Sequence, residues 1–232
     1  EGELIATPPS KETKVTYSAS GSTKAGVASG SSLATTHGNV GRSGVSFTTP
    51  PLDKDIEVTG PLMMNLWVSS TTEDMDIMCT LRNIGPDGKD VWEVGQHGGP
   101  VPLTKGWLRA SHRKLDAKKS LPYRPYHKHQ KRQMLKPGEK VTLDIELWPT
   151  SIVLPPGYRI GLSIRGKDYI FAEKTGLKLS NFKNELLGCG PFLHNDPRDR
   201  PKAIFDGETS LHFDSDAQPY LLLPVIPRGN KQ

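Results

Sequence analysis

The chain has 232 residues, with 23 glycines, 20 prolines and a net charge of +5 at pH 7. Only 34% of the residues are hydrophobic, and no apolar run approaches the roughly 18 residues of a membrane-spanning helix, which excludes a membrane protein. Two cysteines exclude a disulfide framework, and since neither belongs to a Cys-x-x-Cys pair, the usual structural zinc and dithiol redox motifs are excluded too.

Residues 1–12 form a polar lead-in without an initiator methionine, so we expect a domain taken from a longer protein, with residues 13–232 as its folded part. No basic stub followed by an apolar run opens the chain as a signal peptide would. Together with the small number of cysteines, this favours a cytoplasmic location.

The segment 18–49 differs from the rest of the chain in composition, since 19 of its 32 residues are Ser, Thr or Gly. Such a sequence has too few apolar side chains to offset the entropy lost when it folds by itself. Strand-like residues precede it at Lys14–Tyr17 and end it at Val45–Phe47. We therefore predict a long loop that leaves a β-structure and returns to it.

Beyond Pro50, apolar and polar residues alternate with the period of two that is typical of strands with one buried face. The clearest case is residues 141–148, where Val, Leu, Ile and Leu alternate with Thr, Asp, Glu and Trp. The predicted strands are residues 14–17, 45–47, 56–58, 62–69, 75–82, 91–94, 141–148, 159–165, 209–213 and 220–225.

Proline and glycine separate these strands and predict tight turns at Gly85–Gly88, Lys136–Glu139 and Pro155–Gly157. No segment has the pattern of an amphipathic helix longer than about three turns. Nine or ten strands at this spacing predict an all-β fold, namely an antiparallel β-sandwich of the jelly-roll type.

Basic residues concentrate in the segment 109–140, which carries 11 Lys and Arg against two acids, Asp116 and Glu139. Tyr123 and Tyr126 are interleaved with them, as in nucleic-acid grooves whose cations bind phosphates and whose aromatic rings stack on bases. However, the segment holds three prolines and no recognisable RNA- or DNA-binding signature. We therefore favour a solvated loop, or a face that docks on an acidic protein, over nucleic-acid binding.

No set of residues has the spacing of a catalytic or metal site. The run closest to a Gly-x-Ser-x-Gly nucleophile elbow is Gly41–Val45, whose second Gly comes one position too early. His127 and His129 could share one side of an extended segment, but His97 and His112 stand alone, so the spacing provides no third zinc ligand. We predict no catalytic residue, no bound metal and no cofactor.

Five stretches in order along the chain carry a resemblance to a known family: Ile56–Pro61, Gly106–Arg113, Leu135–Glu139 running into Trp148–Ser151, His194–Pro201 and Tyr220–Pro227. Together they resemble the C-terminal non-catalytic domain of the cocaine esterase and X-Pro dipeptidyl-peptidase (CocE/NonD) family of serine hydrolases. The resemblance extends over nearly the whole chain from Thr13 onward.

This resemblance implies a galactose-binding-like jelly roll, in agreement with the alternating pattern. It also implies that the catalytic Ser, Asp and His lie in a preceding α/β-hydrolase domain, and they carry over to no position here. The implied partner is that catalytic domain of the same parent chain, with a homo-oligomer left open. By the same resemblance, the segment Gly21–Gly44 would approach the active-site rim.

The second stretch supplies candidate docking residues. Trp107, Arg109, His112 and Arg113 combine an aromatic anchor with planar donors, the composition that interface hot spots favour. We expect them to dock on the catalytic domain. The alternative is that Trp107 fills the core of the sandwich and the arginines cap turns.

The fourth stretch supplies candidate structural residues. Asp196, Arg198, Asp199 and Arg200 alternate in charge, and prolines lie among them and after them. We interpret this motif as a rigid loop held by its own ion pairs and Asx-type turns.

Three functions from different classes follow. The leading one is an ancillary domain of a serine hydrolase acting on esters, amides or X-Pro peptides, which packs on the catalytic domain and helps to shape its pocket. The second is a carbohydrate-binding module, with a platform that includes Trp67 and Trp148. The third is nucleic-acid binding through the segment 109–140.

Overall fold

The computed structural model describes residues 2–3, 13–20, 44–95, 98–171, 176, 178, 185–188, 193–213, 216 and 218–227. Most of the predicted Ser-, Thr- and Gly-rich loop, residues 21–43, lies outside the described residues, as do His97 and Cys189. The strands of the described part are β1 (Gly2–Glu3), β2 (Thr13–Ser18), β3 (Gly44–Thr48), β4 (Ile56–Ser70), β5 (Asp76–Ile84), β6 (Asp90–Val91), β7 (Glu93–Val94), β8 (Pro100–Val101), β9 (Thr104–Arg109), β10 (Val141–Leu154), β11 (Arg159–Arg165), β12 (Glu208–Phe213), β13 (Tyr220–Leu222) and β14 (Val225–Ile226).

Helical structure is confined to short pieces in the described ranges. A 3₁₀ turn spans Ala110–His112 directly after β9, and the helix α1 spans Lys202–Phe205. Within the same ranges, no helix has the length and apolar character needed to cross a membrane.

Two sheets form the body of the protein. Sheet A has the order β1-β3-β11-β5-β6, with β9 also paired to β5. Sheet B has the order β10-β4-β12-β2, with β13 and β14 also paired to β4. Buried apolar side chains from both sheets form one common core, which confirms the predicted β-sandwich.

The alternating residues of β4 and β10 form the centre of this core. Apart from the half-buried Val141, the predicted inward positions of both strands are almost fully buried. They pair in register as Leu143 with Leu66, Ile145 with Met64, and Leu147 with Leu62. The predicted strands 56–58 and 62–69 are one continuous strand, which passes through Gly60 and Pro61 where the register with β10 shifts.

β5 departs from the prediction of a half-buried strand, because all nine of its residues are buried. After β11, the chain passes over the outer face of β5. There Tyr169 packs on Arg82, and Arg200 pairs with Asp76. Buried charges need partners, and Arg82 also pairs with Asp90 at 2.8 Å. We call residues 166–171 and 193–205 the cover segment, because they lie over sheet A.

β9 was not predicted as a strand. It pairs with β5 in sheet A and also runs against β10 of sheet B, so it joins the two sheets at one edge. This close approach requires glycine at position 106, because a Cβ there would lie 2.0 Å from the carbonyl oxygen of Glu146. We call residues 104–109 and 146–148 the β9–β10 seam.

Candidate functional site

A pocket of about 450 Å³ opens at the β9–β10 seam. Three of the four predicted docking residues, Trp107, Arg109 and His112, lie on its wall. The fold also brings Asp199 and Arg200 to this wall, although the sequence analysis assigned them to a separate structural motif.

Trp107 and Trp148 form an exposed aromatic pair at the seam. Their ring centroids lie 5.7 Å apart, and the two residues are 41% and 57% exposed. Trp107 points outward because its neighbours on β9, Gly106 and Leu108, point inward. The other neighbour of Trp107 is His194, whose ring centroid is 5.2 Å away.

This pairing differs from the platform expected for a carbohydrate-binding module. That hypothesis combined Trp148 with Trp67, but Trp67 is half-buried and does not line the pocket. Trp148 instead contacts Trp107 of the other sheet. The sequence could not indicate this, because the partner comes from the strand β9 that alternation had missed.

Arg109 uses its donors within the chain. Its Nε and Nη2 donate to the two carboxylate oxygens of Asp76 at 2.8 and 3.0 Å, and Nη1 and Nη2 donate to Asp199 at 3.0 and 2.9 Å. Hydrogen bonding to Asp76 raises the pKa of Arg109, and hydrogen bonding to Arg109 lowers the pKa of Asp199. The guanidinium also stacks on Phe205. Arg109 therefore fixes the wall of the pocket and ties the cover segment to sheet A.

The predicted structural motif, residues 196–200, is joined to other parts of the chain by hydrogen bonds and an ion pair. Arg200 donates to the carbonyl oxygens of His194 and Gly166 and forms an ion pair with Asp76 at 2.9 Å. The backbone N–H groups of Asp199 and Arg200 donate to the carbonyl oxygen of Asp196. In contrast, the ion pair between Asp196 and Arg198 lies on the exposed surface.

His194 is oriented by a buried carboxylate. Its backbone N–H donates to Asp168 Oδ2 at 2.6 Å, and its Nδ1 lies 2.9 Å from Asp168 Oδ1. The carboxylate holds the imidazole in one position, so that its ring contacts Trp107 at a tilted angle and lines the pocket.

Arg113 lies outside the pocket and instead joins two parts of the basic segment by hydrogen bonds. Its Nη1 donates to the carbonyl oxygens of Ala110 and Gln133. Residues 113–136 of this segment carry nine Lys and Arg residues and one acidic residue, Asp116. We call them the basic lobe.

The basic lobe is an ordered structure. Leu115 bridges to His127 and Leu121 to Arg124, and Asp116 and Tyr126 are joined by a backbone hydrogen bond of 2.8 Å. Within the described residues, the Lys and Arg side chains of the lobe form no ion pair. Its exposed apolar side chains are Leu121, Tyr123, Tyr126 and Met134.

Three histidines meet where the lobe reaches the pocket. His112 Nδ1 lies 3.0 Å from His129 Nδ1, and the rings of His127 and His129 are in contact, with centroids 5.9 Å apart. Burial, and then the neighbouring His129, lower the pKa of both His112 and His127. The expectation that His112 stands alone was wrong, because the lobe folds back and brings His129 to His112 across a sequence separation of 17.

These rings do not form a metal site. Across the part of the chain that the structure describes, no group of three or more His, Cys, Asp or Glu side chains is arranged to hold a metal ion.

Comparison with known proteins identifies the family. The sequence pattern described as the X-Pro dipeptidyl-peptidase C-terminal non-catalytic domain matches residues 4–179. Two relatives are "Putative serine esterase Mb1866c" of Mycobacterium bovis and "Putative serine esterase MT1883" of Mycobacterium tuberculosis. Each is 32% identical over 129 residues, which are 53% of this chain and 19% of the relative.

Solved structures show the same fold. A CocE/NonD family hydrolase from Staphylococcus aureus has a TM-score of 0.73 and 22% identity, over 97% of this chain and 34% of that chain. An aminopeptidase from a marine sediment archaeon, Thaumarchaeota archaeon, has a TM-score of 0.58 and 15% identity, over 95% of this chain and 34% of that chain. An α-amino acid ester hydrolase has a TM-score of 0.56 and 14% identity, over 97% of this chain and 35% of that chain.

The chain spans about a fifth of its curated relatives and about a third of its structural neighbours. The resemblance inferred from the five sequence stretches is confirmed, because the family pattern covers most of the chain and the sandwich matches along nearly all of it. The chain belongs to the family of X-Pro dipeptidyl-peptidase C-terminal non-catalytic domains.

Proposed function

We propose that this chain is the ancillary domain of an α/β-hydrolase-type serine hydrolase that acts on esters, amides or X-Pro peptides, and that it packs on the catalytic domain of the same parent chain. Its family of non-catalytic domains supports this role. The reaction class is supported by relatives named as serine esterases and by a structural neighbour named as a CocE/NonD family hydrolase.

The observation that carries the docking proposal is the exposed tryptophan pair at the β9–β10 seam. Aromatic side chains on a rigid surface are the usual anchors of protein interfaces. Trp107 and Trp148 lie on strands, and the ion pairs of Arg109 fix the wall beside them. The basic lobe reaches the same pocket through His127 and His129, so that polar side chains lie near the pair, as a polar rim borders an interface core.

The segment 21–44 is proposed to reach the active-site rim. Its flanking strands belong to different sheets, since β2 lies in sheet B and β3 in sheet A. The described residues on the two sides of the segment therefore belong to different layers of the sandwich. Long connections between strands commonly carry the functional contacts of a domain.

A complementation experiment tests the docking proposal. The upstream region of the parent enzyme and this chain are produced as separate polypeptides and mixed, and hydrolysis of a p-nitrophenyl ester is measured. We expect the unaltered chain to restore activity. When the added chain is limiting, the Trp148→Lys variant should restore about tenfold less activity, which corresponds to a loss of about 1.4 kcal/mol in binding free energy. Val94→Lys changes an exposed apolar residue away from the pocket and serves as the control. Equal restoration by Trp148→Lys would show that the pair is not the docking anchor.

The carbohydrate-binding alternative keeps one specific observation in its favour. The exposed tryptophan pair has carboxylates beside it, since Glu146 and Asp199 line the same pocket. Sugar rings commonly bind where aromatic faces and planar polar groups lie together. A change in tryptophan fluorescence on addition of oligosaccharides to the isolated chain, lost in Trp148→Ala, would favour this alternative over docking.

A further inference from the structure

The contact between His112 and His129 depends on the number of protons that the two rings carry. Their Nδ1 atoms lie 3.0 Å apart, a hydrogen-bond distance that accommodates one proton between the two nitrogens. If both rings become imidazolium, two N–H donors face each other. His129 has a φ of 51°, a left-handed conformation that is uncommon for residues other than glycine, so the lobe holds this ring against His112 in a strained backbone.

The charges around the pair are mostly positive. The pKa of His112 is lowered by burial, His129, Arg132 and Arg109, and raised only by Asp74. Asp74 is already occupied, because its Oδ1 accepts hydrogen bonds from the backbone N–H groups of Met75 and Ser111. The wall of the pocket therefore gives the pair little compensation for a second proton.

The other groups that face the pair lead to the same conclusion. His127 hydrogen bonds with the backbone of Asp144, and its Nε2 is buried without a hydrogen-bond partner among the described residues. On the remaining wall, Asp76 and Asp199 are paired with Arg109 and Arg200, and His194 with Asp168. Glu146 is the one carboxylate on this wall for which the structure shows no ion pair with a described residue.

We infer that the pocket beside His112 and His129 receives a carboxylate from an acidic segment of the docked partner, and that the histidine pair takes up a proton when this carboxylate binds. The inference rests on the proposed docking function, since it specifies the chemistry of the partner surface. A carboxylate supplies the negative charge that the pair lacks. The basic lobe reaches this pocket through His127 and His129, and its Lys and Arg side chains form no ion pair within the described residues.

The structure favours an acidic protein over a nucleic acid as the partner. Stacking of bases needs open aromatic faces, but Lys119 Nζ lies 4.7 Å from the centre of the Tyr126 ring and occupies one of its faces. At the pocket, the ring of Trp107 already contacts the rings of Trp148 and His194. With a volume of about 450 Å³, the pocket has room for a carboxylate side chain.

Binding of a blocked hexaglutamate peptide, measured by tryptophan fluorescence at constant ionic strength, tests the inference. The peptide stays fully charged between pH 6.0 and 8.0, because the pKa of glutamate is about 4.3. We expect binding to be about tenfold tighter at pH 6.0 than at pH 8.0, as for uptake of one proton over part of this range. Equal affinity at the two pH values would overturn the inference.

Variants identify the groups responsible. The double substitution His112→Asn and His129→Asn should abolish the pH dependence, and asparagine tolerates the positive φ at position 129. His212→Asn is the matched control, because His212 bonds to Ser69 in sheet B and does not line the pocket. Glu146→Gln should tighten binding several-fold, since it removes the repulsion between Glu146 and the incoming carboxylate. A pH dependence that survives in the double variant, or weaker binding by Glu146→Gln, would contradict the inference.

Three further outcomes are decisive. Tighter binding of an oligothymidylate of equal charge than of hexaglutamate would assign the lobe to nucleic acid instead. Failure of hexaglutamate binding, with restored activity in the complementation experiment, would leave the docking function standing and remove only the carboxylate assignment. Peptide binding without complementation would remove the docking function.

Discussion

Asp76 and Arg109 are register partners on β5 and β9, and their side chains join through two parallel hydrogen bonds of 2.8 and 3.0 Å. Asp76 Oδ2 also pairs with Arg200. One buried carboxylate therefore serves two arginines, one on the pocket wall and one in the cover segment. This arrangement joins the seam and the cover segment into one unit.

Asp76→Ala should destabilise the protein by about 2–3 kcal/mol, because it leaves two largely buried guanidinium groups without this partner. The value lies below that of a fully buried pair, since the side chain of Arg109 remains 19% exposed. Urea denaturation measures the change. Asp196→Ala, which removes the exposed partner of Arg198, is the control and should have a much smaller effect. Similar losses for both variants would contradict this account.

Gly106→Ala should separate β9 from β10. The new methyl group would lie 2.0 Å from the carbonyl oxygen of Glu146, and backbone cannot move away as a flexible side chain can. We expect a loss of about 3 kcal/mol in the free energy of unfolding, together with a shift in tryptophan emission as Trp107 and Trp148 move apart. Val153→Ala, at an exposed position of β10 outside the seam, is the control. An unchanged emission spectrum and stability in Gly106→Ala would show that the seam is looser than described.

Stability should fall as the pH decreases from 7.5 to 5.5. The pKa values of His112 and His127 in the folded protein lie below their usual value, chiefly because burial disfavours the charged rings. Below about pH 6.5, the unfolded chain therefore binds more protons than the folded chain. The contribution of the two histidines to the free energy of unfolding is thus complete above pH 6.5 and is lost on acidification.

Urea denaturation at the two pH values measures this effect. A chain with His112→Asn and His127→Gln should lose less stability between them than the unaltered chain does. The range ends at pH 5.5, above the titration of Asp199, whose pKa Arg109 lowers further. An identical pH dependence in both chains would count against the histidines as its source.

The isolated chain should hydrolyse neither p-nitrophenyl esters nor X-Pro anilides, because no nucleophile, base and orienting group were found together in its sequence. The nearest serine to an elbow pattern is Ser43, which lies outside the described residues. Turnover by the purified chain that disappears in Ser43→Ala would overturn this prediction. Turnover that persists in Ser43→Ala would instead indicate a contaminating hydrolase.

Much of the sandwich could be predicted from alternation, but β9 could not. The core residues of β10 and β11 are Leu and Ile at every second position, so their pattern is clear. The inward residues of β9 are Thr104, Gly106 and Leu108, of which only one is strongly apolar. Glycine at its centre is required by contact with β10, and this contact has no local signature in the sequence.

The candidate site was predicted only in part for a similar reason. Residue types identified Trp107 and Arg109, but the partners of these residues lie on distant segments, at Trp148 and Asp199. The burial of Asp76 in β5 was likewise hidden, because alternation placed it on a solvent face. Pair contacts across 33 to 90 residues depend on the tertiary arrangement, which period-two patterns do not encode.

The cover segment continues a strand of one sheet and leads into a strand of the other, since β11 lies in sheet A and β12 lies between β4 and β2 in sheet B. The cover segment is therefore connected at its two ends to strands of different sheets, and Arg200 joins it to the buried Asp76 of β5. Amide hydrogens of β12 and of Phe171, Arg200 and Phe205 should exchange with solvent in one cooperative event, at the rate of global unfolding. A force applied at the C-terminal end of the chain would load the hydrogen bonds of β14 and β13 with β4, and then those between β12 and β4, before it reached the tryptophan pair.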